Sequence, residues 1–313
     1  MIKVEYIIFL VSMAALIKGA DYVIDESEKI ALHFNISHFV IGATIVALGT
    51  SLPEMAASIF ASANDKSDLA VSNVIGSTIF NISLVLGVVF IMAGKLIPTR
   101  DMFAEDSAWA LFPILIFLVV GFDGEISRWE GLIYLAMMGA YVMFLTKNAD
   151  DLIGEVHGAT DGDGFDWQST GLWLSLGFIL VIVGASYTVD SASVIARSFG
   201  VSEWIIGLFL VALGTSLPEF VVSIQAAKKK NADMILGNII GSNVANFTVV
   251  LGAAAMVNPL KVDFTANAFD IMSALILIVM LVFVAANRLY NRSTGIVFLL
   301  MLALVLGNGL KTI

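Results

Sequence analysis

The chain has 313 residues, of which 59% are hydrophobic and only 13% charged, with a formal net charge of −10. A mean hydropathy of +0.94 and recurrent apolar runs of about 18 residues or more exclude an ordinary soluble domain, in which roughly a quarter of residues are charged. No basic tract is long enough to suggest nucleic acid, and with no cysteine there is neither a disulfide framework nor a thiolate metal site.

Ten membrane spans are predicted, at about 3–24, 37–61, 69–94, 106–121, 129–146, 170–190, 202–227, 233–257, 266–287 and 293–310. The first apolar run, Val4 to Ile17, has the length of a signal-peptide core. However, Gly19, Ala20 and Tyr22 recur in mid-chain as Gly184, Ala185 and Tyr187, so the run is read as a retained helix. The same offset of 165 residues relates Asp25 to Asp190, Ser37 to Ser202, Gly42 to Gly207 and Asn73 to Asn238. It also relates Gly76 to Gly241, Ser77 to Ser242, Asn81 to Asn246 and Gly87 to Gly252. The expected fold is therefore an all-α integral membrane protein of ten transmembrane helices in two five-helix repeats. Five is odd, so the second repeat enters the bilayer from the opposite side, and the repeats are inverted.

The expected organisation is a first repeat over 1–146, with motifs at 46–54 and 73–81. An acidic cytoplasmic linker over 147–169 follows, and then a second repeat over 170–313, with motifs at 211–219 and 238–246. The linker contains Asp161-Gly162-Asp163-Gly164, which opens like a calcium loop, but the twelfth position is Leu172, so no site is assigned there. With both termini outside, the inner loops take Lys18, Lys29, Lys95, Arg100, Lys147, Lys228, Lys229, Lys230, Arg288 and Arg292. The outer segments keep Lys3, Lys66, Arg128, Arg197, Lys261 and Lys311, and the imbalance follows the positive-inside rule.

The string Val-Ala-Leu-Gly-Thr-Ser-Leu-Pro-Glu stands at 46–54 and again at 211–219, placing Glu54 and Glu219 inside apolar spans. A carboxylate there costs a few kcal/mol unless it is paired or ligated, so it marks a functional site. Pro53 and Pro218 have no N–H and break the helical ladder near Gly49 and Gly214. The carbonyls around Ala47, Thr50, Ala212 and Thr215 are thereby offered to a cation. Thr50 and Ser51 lie four and three residues before Glu54, on one helical face. Ser77 with Asn81, and Ser242 with Asn246, repeat the four-residue spacing in the spans that follow.

This donor set is all oxygen, which suits hard cations, calcium above all and alkali ions too, and argues against zinc or copper. Two ionised glutamates balance one Ca²⁺ or two monovalent ions, so calcium and sodium are expected to exclude one another. Isolated Ser58, Ser62, Ser83 and Thr248 are expected to satisfy backbone, and Gly42, Gly76, Gly207 and Gly241 to permit close helix packing. Asn73 and Asn238 either cap or hydrogen-bond within the bundle.

The duplicated Ala-Leu-Gly-Thr-Ser-Leu-Pro-Glu, each followed by Gly-Ser-x-x-x-Asn, resembles the α1 and α2 repeats of the sodium/calcium exchanger family of calcium/cation antiporters. The likeness spans essentially the whole chain and is to the compact prokaryotic and archaeal members. The resemblance implies four clustered cation sites, with Glu54 and Glu219 as central ligands. Thr50 and Thr215 would give backbone and hydroxyl oxygens, Ala47 and Ala212 carbonyls. Ser51, Ser77, Ser216 and Ser242 would complete the sodium sites, and Asn81 and Asn246 would line the centre.

It further implies exchange of three sodium ions for one calcium by alternating access, with helices 3–24 and 170–190 sliding across the rest. Potassium-dependent members and some archaeal ones have aspartate where this chain has Asn246, which leans against potassium dependence. The expectation is thus an antiporter and not an enzyme, with Na⁺ and Ca²⁺ as substrates and no cofactor. It would sit in the lipid of the cell membrane with no obligate protein partner, working as a monomer. A calcium/proton or potassium-dependent antiporter, or a passive cation channel, is the alternative.

Overall fold

A computed structural model describes residues 2–147, 165–200 and 212–309. The linker residues 148–164, the positions Ser202, Gly207 and Val211, and the last four residues lie outside that description. The described residues are almost wholly helical. The first half contains α1 (Ile2–Phe34), α2 (His38–Thr50), α3 (Leu52–Ala63), α4 (Ser67–Ala93), α5 (Met102–Val120) and α6 (Arg128–Lys147). The second contains α7 (Trp167–Ser198), α8 (Ala212–Thr215), α9 (Leu217–Lys228), α10 (Ala232–Val257), α11 (Ala268–Ala286) and α12 (Arg292–Gly309). Seven described helices are long and apolar enough to cross a membrane, or eight if α2 and α3 form one bent span. α12 is a shorter apolar helix, and the predicted span 202–227 begins outside the described residues.

Local chemistry sets the helix starts. Ser37 accepts from Val40 N at the start of α2, Asp101 from Phe103 N and Ala104 N at α5, and Asn231 from Met234 N at α10. The Asp101 carboxylate is held below its ordinary range, first by the Ala104 N–H and also by Arg288. The helix ends differ from the sequence expectation. α1 runs ten residues past 24 and α7 eight past 190, because the polar residues there mark the end of the apolar slab, not of the helix. Lys18, assigned to an inner loop, sits within α1 with its Nζ over the Tyr22 ring.

α4 and α10 form the centre, with 78% and 83% of their apolar windows buried, against 33% for α1 and 28% for α7. α2 crosses α10 with backbones almost touching. A Cβ on Gly237 would stand 2.4 Å from Phe39 O, and one on Gly241 2.5 Å from Ala43 O. Gly42 meets Met234 O in the same way, so Gly42 and Gly241 serve close packing. Gly76 has nothing within 4 Å of a built Cβ. α1 and α7 pack on each other through Gly19, Gly177 and Gly184, and Phe178 of α7 lies directly on Gly49.

Contacts group the loops at two ends. One end brings together Asp25 with Lys229, His38 with Asn231, Thr99 with Asp233, and the Lys95–Asn291 bridge. The other joins Asp65 to Asn258 and pairs a short antiparallel ladder, β1 (Glu125–Ile126) with β2 (Leu260–Lys261).

The first end also hides a charge cluster. Asp106, at the start of the fourth predicted span, is fully buried, and its carboxylate accepts from Arg100 Nε at 2.6 Å and Nη2 at 3.2 Å. Arg100 is itself 4% exposed, also pairs with Glu105, and stacks over Phe39. Buried pairs are costly to break because one charge is left uncompensated. Asp106→Asn is expected to destabilise the folded protein by about 3 kcal/mol, read as a lowered thermal midpoint of the monodisperse detergent-solubilised protein. Replacing both partners, Arg100→Met with Asp106→Leu, is expected to restore most of the loss.

Candidate cation site

Both copies of the duplicated string fold alike at the break. Pro53 and Pro218 each stand at the second position of a new helix, and the chain turns at Ser51 (φ −83°, ψ 6°) and Ser216 (φ −86°, ψ 3°). In the first half the bend is 46°. It carries Glu54 and Glu219 into the protein interior, each 1% exposed.

Hydroxyls from both halves converge on these carboxylates. Ser51 Oγ donates to Glu219 Oε1 at 2.9 Å, across 168 residues of sequence. Ser242 Oγ donates to the same oxygen at 3.4 Å, and Ser77, 3% exposed, lies in the helix that follows Glu54. Asn81 and Asn246, each 1% exposed, open π-helical stretches at Asn81–Leu86 and Asn246–Val250. Such stretches widen the turn and free backbone carbonyls, and they concentrate at functional positions.

Six polar atoms in this region have no hydrogen-bond partner among the described residues. They are Glu54 Oε2, Glu219 Oε2, Asn81 Oδ1, Ser216 Oγ and both amide atoms of Asn246. Buried polar atoms are otherwise almost always satisfied. Five of the six are oxygens, the donor set a hard cation accepts. Among the described residues no group of three or more His, Cys, Asp or Glu is placed to hold a metal ion, and the oxygens on offer here are two carboxylates with hydroxyl, amide and main-chain carbonyl groups.

The remaining expected residues are placed less evenly. Thr50 is fully buried and donates to Ala47 O at 3.2 Å and Asn238 Oδ1 at 3.4 Å, and Ala47 O also accepts from Ser51 N. Thr215 is only half-buried, and Ala212 opens α8 at the edge of the described residues. Ser83 and Thr248 donate to carbonyls four residues back, Ser62 to Ala254 O, and Ser58 to Ala70 O, as expected of isolated hydroxyls. Asn73 donates to Glu54 O and Ser58, while Asn238 joins Thr50 to Ser223, so both bond within the bundle. Asn243, which pairs with Asn81, was not singled out by the sequence. Its equivalent by the 165 offset is Thr78, and selection by symmetry passes over a residue that acts in one half only.

A many-span membrane protein whose interior holds carboxylates, hydroxyls and amides falls in the class of membrane ion transporters. The profile of the family described as "Sodium/calcium exchanger protein" matches residues 4–147 and 170–308. An uncharacterized membrane protein of Methanocaldococcus jannaschii is 37% identical over 291 residues, 93% of each chain. A sodium/calcium exchanger of Methanosarcina acetivorans is 32% identical, over 96% of this chain and 97% of that one. A solved structure of the sodium–calcium exchanger NCX_Mj superposes with a TM-score of 0.85 at 33% identity, covering 98% of this chain and 99% of that one. The chain belongs to the sodium/calcium exchanger family, whose members are antiporters and not enzymes.

Proposed function

We propose that this protein exchanges Na⁺ for Ca²⁺ across the cell membrane by alternating access at a midplane site. The ligands are Ala47, Thr50, Ser51, Glu54, Ser77, Asn81, Ala212, Thr215, Ser216, Glu219, Ser242 and Asn246. The observation that carries this reading is the bond from Ser51 of the first motif copy to Glu219 of the second, amid unpartnered buried oxygens. Two halves that each bring one carboxylate and complete the other's surroundings make a site neither half has alone. Two carboxylates neutralise one Ca²⁺ or two Na⁺, and a third Na⁺ leaves a net charge, which favours an electrogenic three-to-one exchange.

The chain is read as ten helices in two inverted repeats, 1–146 and 170–313, joined by a cytoplasmic linker, 147–169. One feature of the fold supports this reading. The Lys95–Asn291 bridge at one end is the image, by the 165 offset, of the Leu260–Ile126 pair at the other. Both termini are assigned to the outside and the working unit to the monomer. α1 and α7, far less buried than the central α4 and α10 and packed on each other through glycine, are the elements that move relative to the rest.

Calcium uptake into proteoliposomes tests the function. Uptake from vesicles loaded with sodium and diluted into sodium-free buffer, with none from potassium-loaded or acid-loaded vesicles, is the expected result. Uptake driven by protons or potassium would change the coupling ion, and uptake independent of loading would make the protein a channel. Protons and cations also compete for the same carboxylate oxygens. Lowering the external pH is therefore expected to raise the calcium concentration needed for half-maximal uptake while leaving the maximal rate nearly unchanged. A rate that falls equally at all calcium concentrations would contradict direct competition.

A further inference from the structure

Asn81 and Asn246 hold equivalent places, yet their amides are held differently. Asn81 Nδ2 donates to Asn243 Oδ1 at 3.2 Å, and Asn81 Oδ1 has no partner among the described residues. Neither amide atom of Asn246 has a partner among them. The difference lies three residues upstream, where the first half has Thr78 and the second Asn243. Thr78 Oγ1 donates to its own Val74 O at 2.9 Å, the ordinary bond of a threonine within a helix. Asn243 is 5% exposed and reaches across to the other half, linking residues 162 apart.

An asparagine amide has an accepting end and a donating end, and only the oxygen can ligate a cation. A half-turn of the Asn81 amide alone would present two N–H groups to the cation site and forfeit the bond to Asn243 Oδ1, so it requires Asn243 to turn as well. We infer that Asn243 is a positioning residue: by accepting from Asn81 Nδ2 it fixes the Asn81 amide with Oδ1 available to a cation, and so sets calcium affinity through one half of the protein. Asn246 has no such constraint and can turn to either end as the bound ions change. The inference rests on the site proposed above. It adds a specificity asymmetry that the near-symmetric ligand set does not have.

Removing a partner that orients a metal ligand typically costs tenfold or more in metal affinity. An oxygen withheld costs a divalent ion about twice the Coulomb energy it costs a monovalent one. Asn243→Thr, the side chain its counterpart position already carries, is expected to raise the half-maximal calcium concentration in sodium-loaded proteoliposomes about tenfold. The half-maximal sodium concentration should rise by no more than about threefold, the square root of that factor, because only one of the bound sodium ions loses the oxygen.

In an Asn81→Ala background the same substitution should add no further loss, because the group it orients is gone. If the threonine variant is not recovered as a monodisperse protein, Asn243→Ser takes its place in the cycle. Equal losses for the two ions, or a loss that persists undiminished in the Asn81→Ala background, would overturn the inference in favour of a general packing role. An unchanged Asn243→Thr beside an impaired Asn81→Ala would overturn it and leave the site intact. An Asn81→Ala protein with native affinity would overturn both.

Discussion

Glu219→Gln is expected to abolish sodium-driven calcium uptake, by at least about three orders of magnitude, while the purified protein remains folded and monodisperse. The magnitude follows from charge: the substitution keeps the shape and the acceptor for Ser51, but removes one of two charges balancing a divalent ion in a buried site. At an effective dielectric of about 20, one unit charge at ligand distance is worth several kcal/mol to a divalent ion. Glu54→Gln should behave alike. Both variants should be at least as stable as the parent without calcium, because each replaces a buried carboxyl group with a neutral amide of the same shape. Retained exchange in both single variants would sink the site assignment. Loss of activity together with loss of folding would make the glutamates structural.

Gly241→Val is the second substitution expected to have a large effect, through sterics. Its Cβ would stand 2.5 Å from Ala43 O and 2.6 Å from Ala43 Cα, backbone atoms that cannot turn aside as a side chain can. The central crossing of α2 over α10 must open. Overpacking of this kind costs about 3 kcal/mol or more, and the displacement also carries Thr50 and Ser51 away from Asn238 and Glu219. A drop in thermal midpoint together with loss of uptake is expected. The matched control is Gly139→Ala on α6, where a Cβ meets nothing within 4 Å. That change should be neutral or slightly stabilising, since alanine is the better helix former. A Gly241→Val protein as stable as the control would mean that the crossing yields without cost.

The two substitutions differ in how far sequence alone could lead to them. Glu54 and Glu219 stand out because a carboxylate in an apolar span is conspicuous, and because the same nine residues surround both. Gly241 was recognisable as a packing glycine, though not as one pressed against Ala43, since nothing in a glycine names its neighbour. Asp106 and Arg100 lie where a span meets a loop, so hydropathy reads them as boundary residues. Their burial depends on Phe39 and Glu105 closing over them. The extensions of α1 and α7 escaped for a related reason. Hydropathy registers the thickness of the bilayer, whereas a helix continues as long as its hydrogen bonds do.

Composition, the 165-residue repeat, the proline breaks and the hydroxyl-to-carboxylate spacing all act within a few turns of one helix or between two copies of one string. They were therefore available from residue order by itself, and they sufficed to mark this chain as a membrane protein with a duplicated oxygen-donor motif. Residue order did not establish that Ser51 serves Glu219, that Asn81 takes its orientation from Asn243, or that Thr50 leans on Asn238. Each of those contacts joins residues more than 160 positions apart. They arise only when helices of the two halves pack together, α2 on α10 for Thr50, α4 on α10 for Asn81 and the α2–α3 break on α9 for Ser51, and no periodicity along the chain encodes which side chains are brought face to face there.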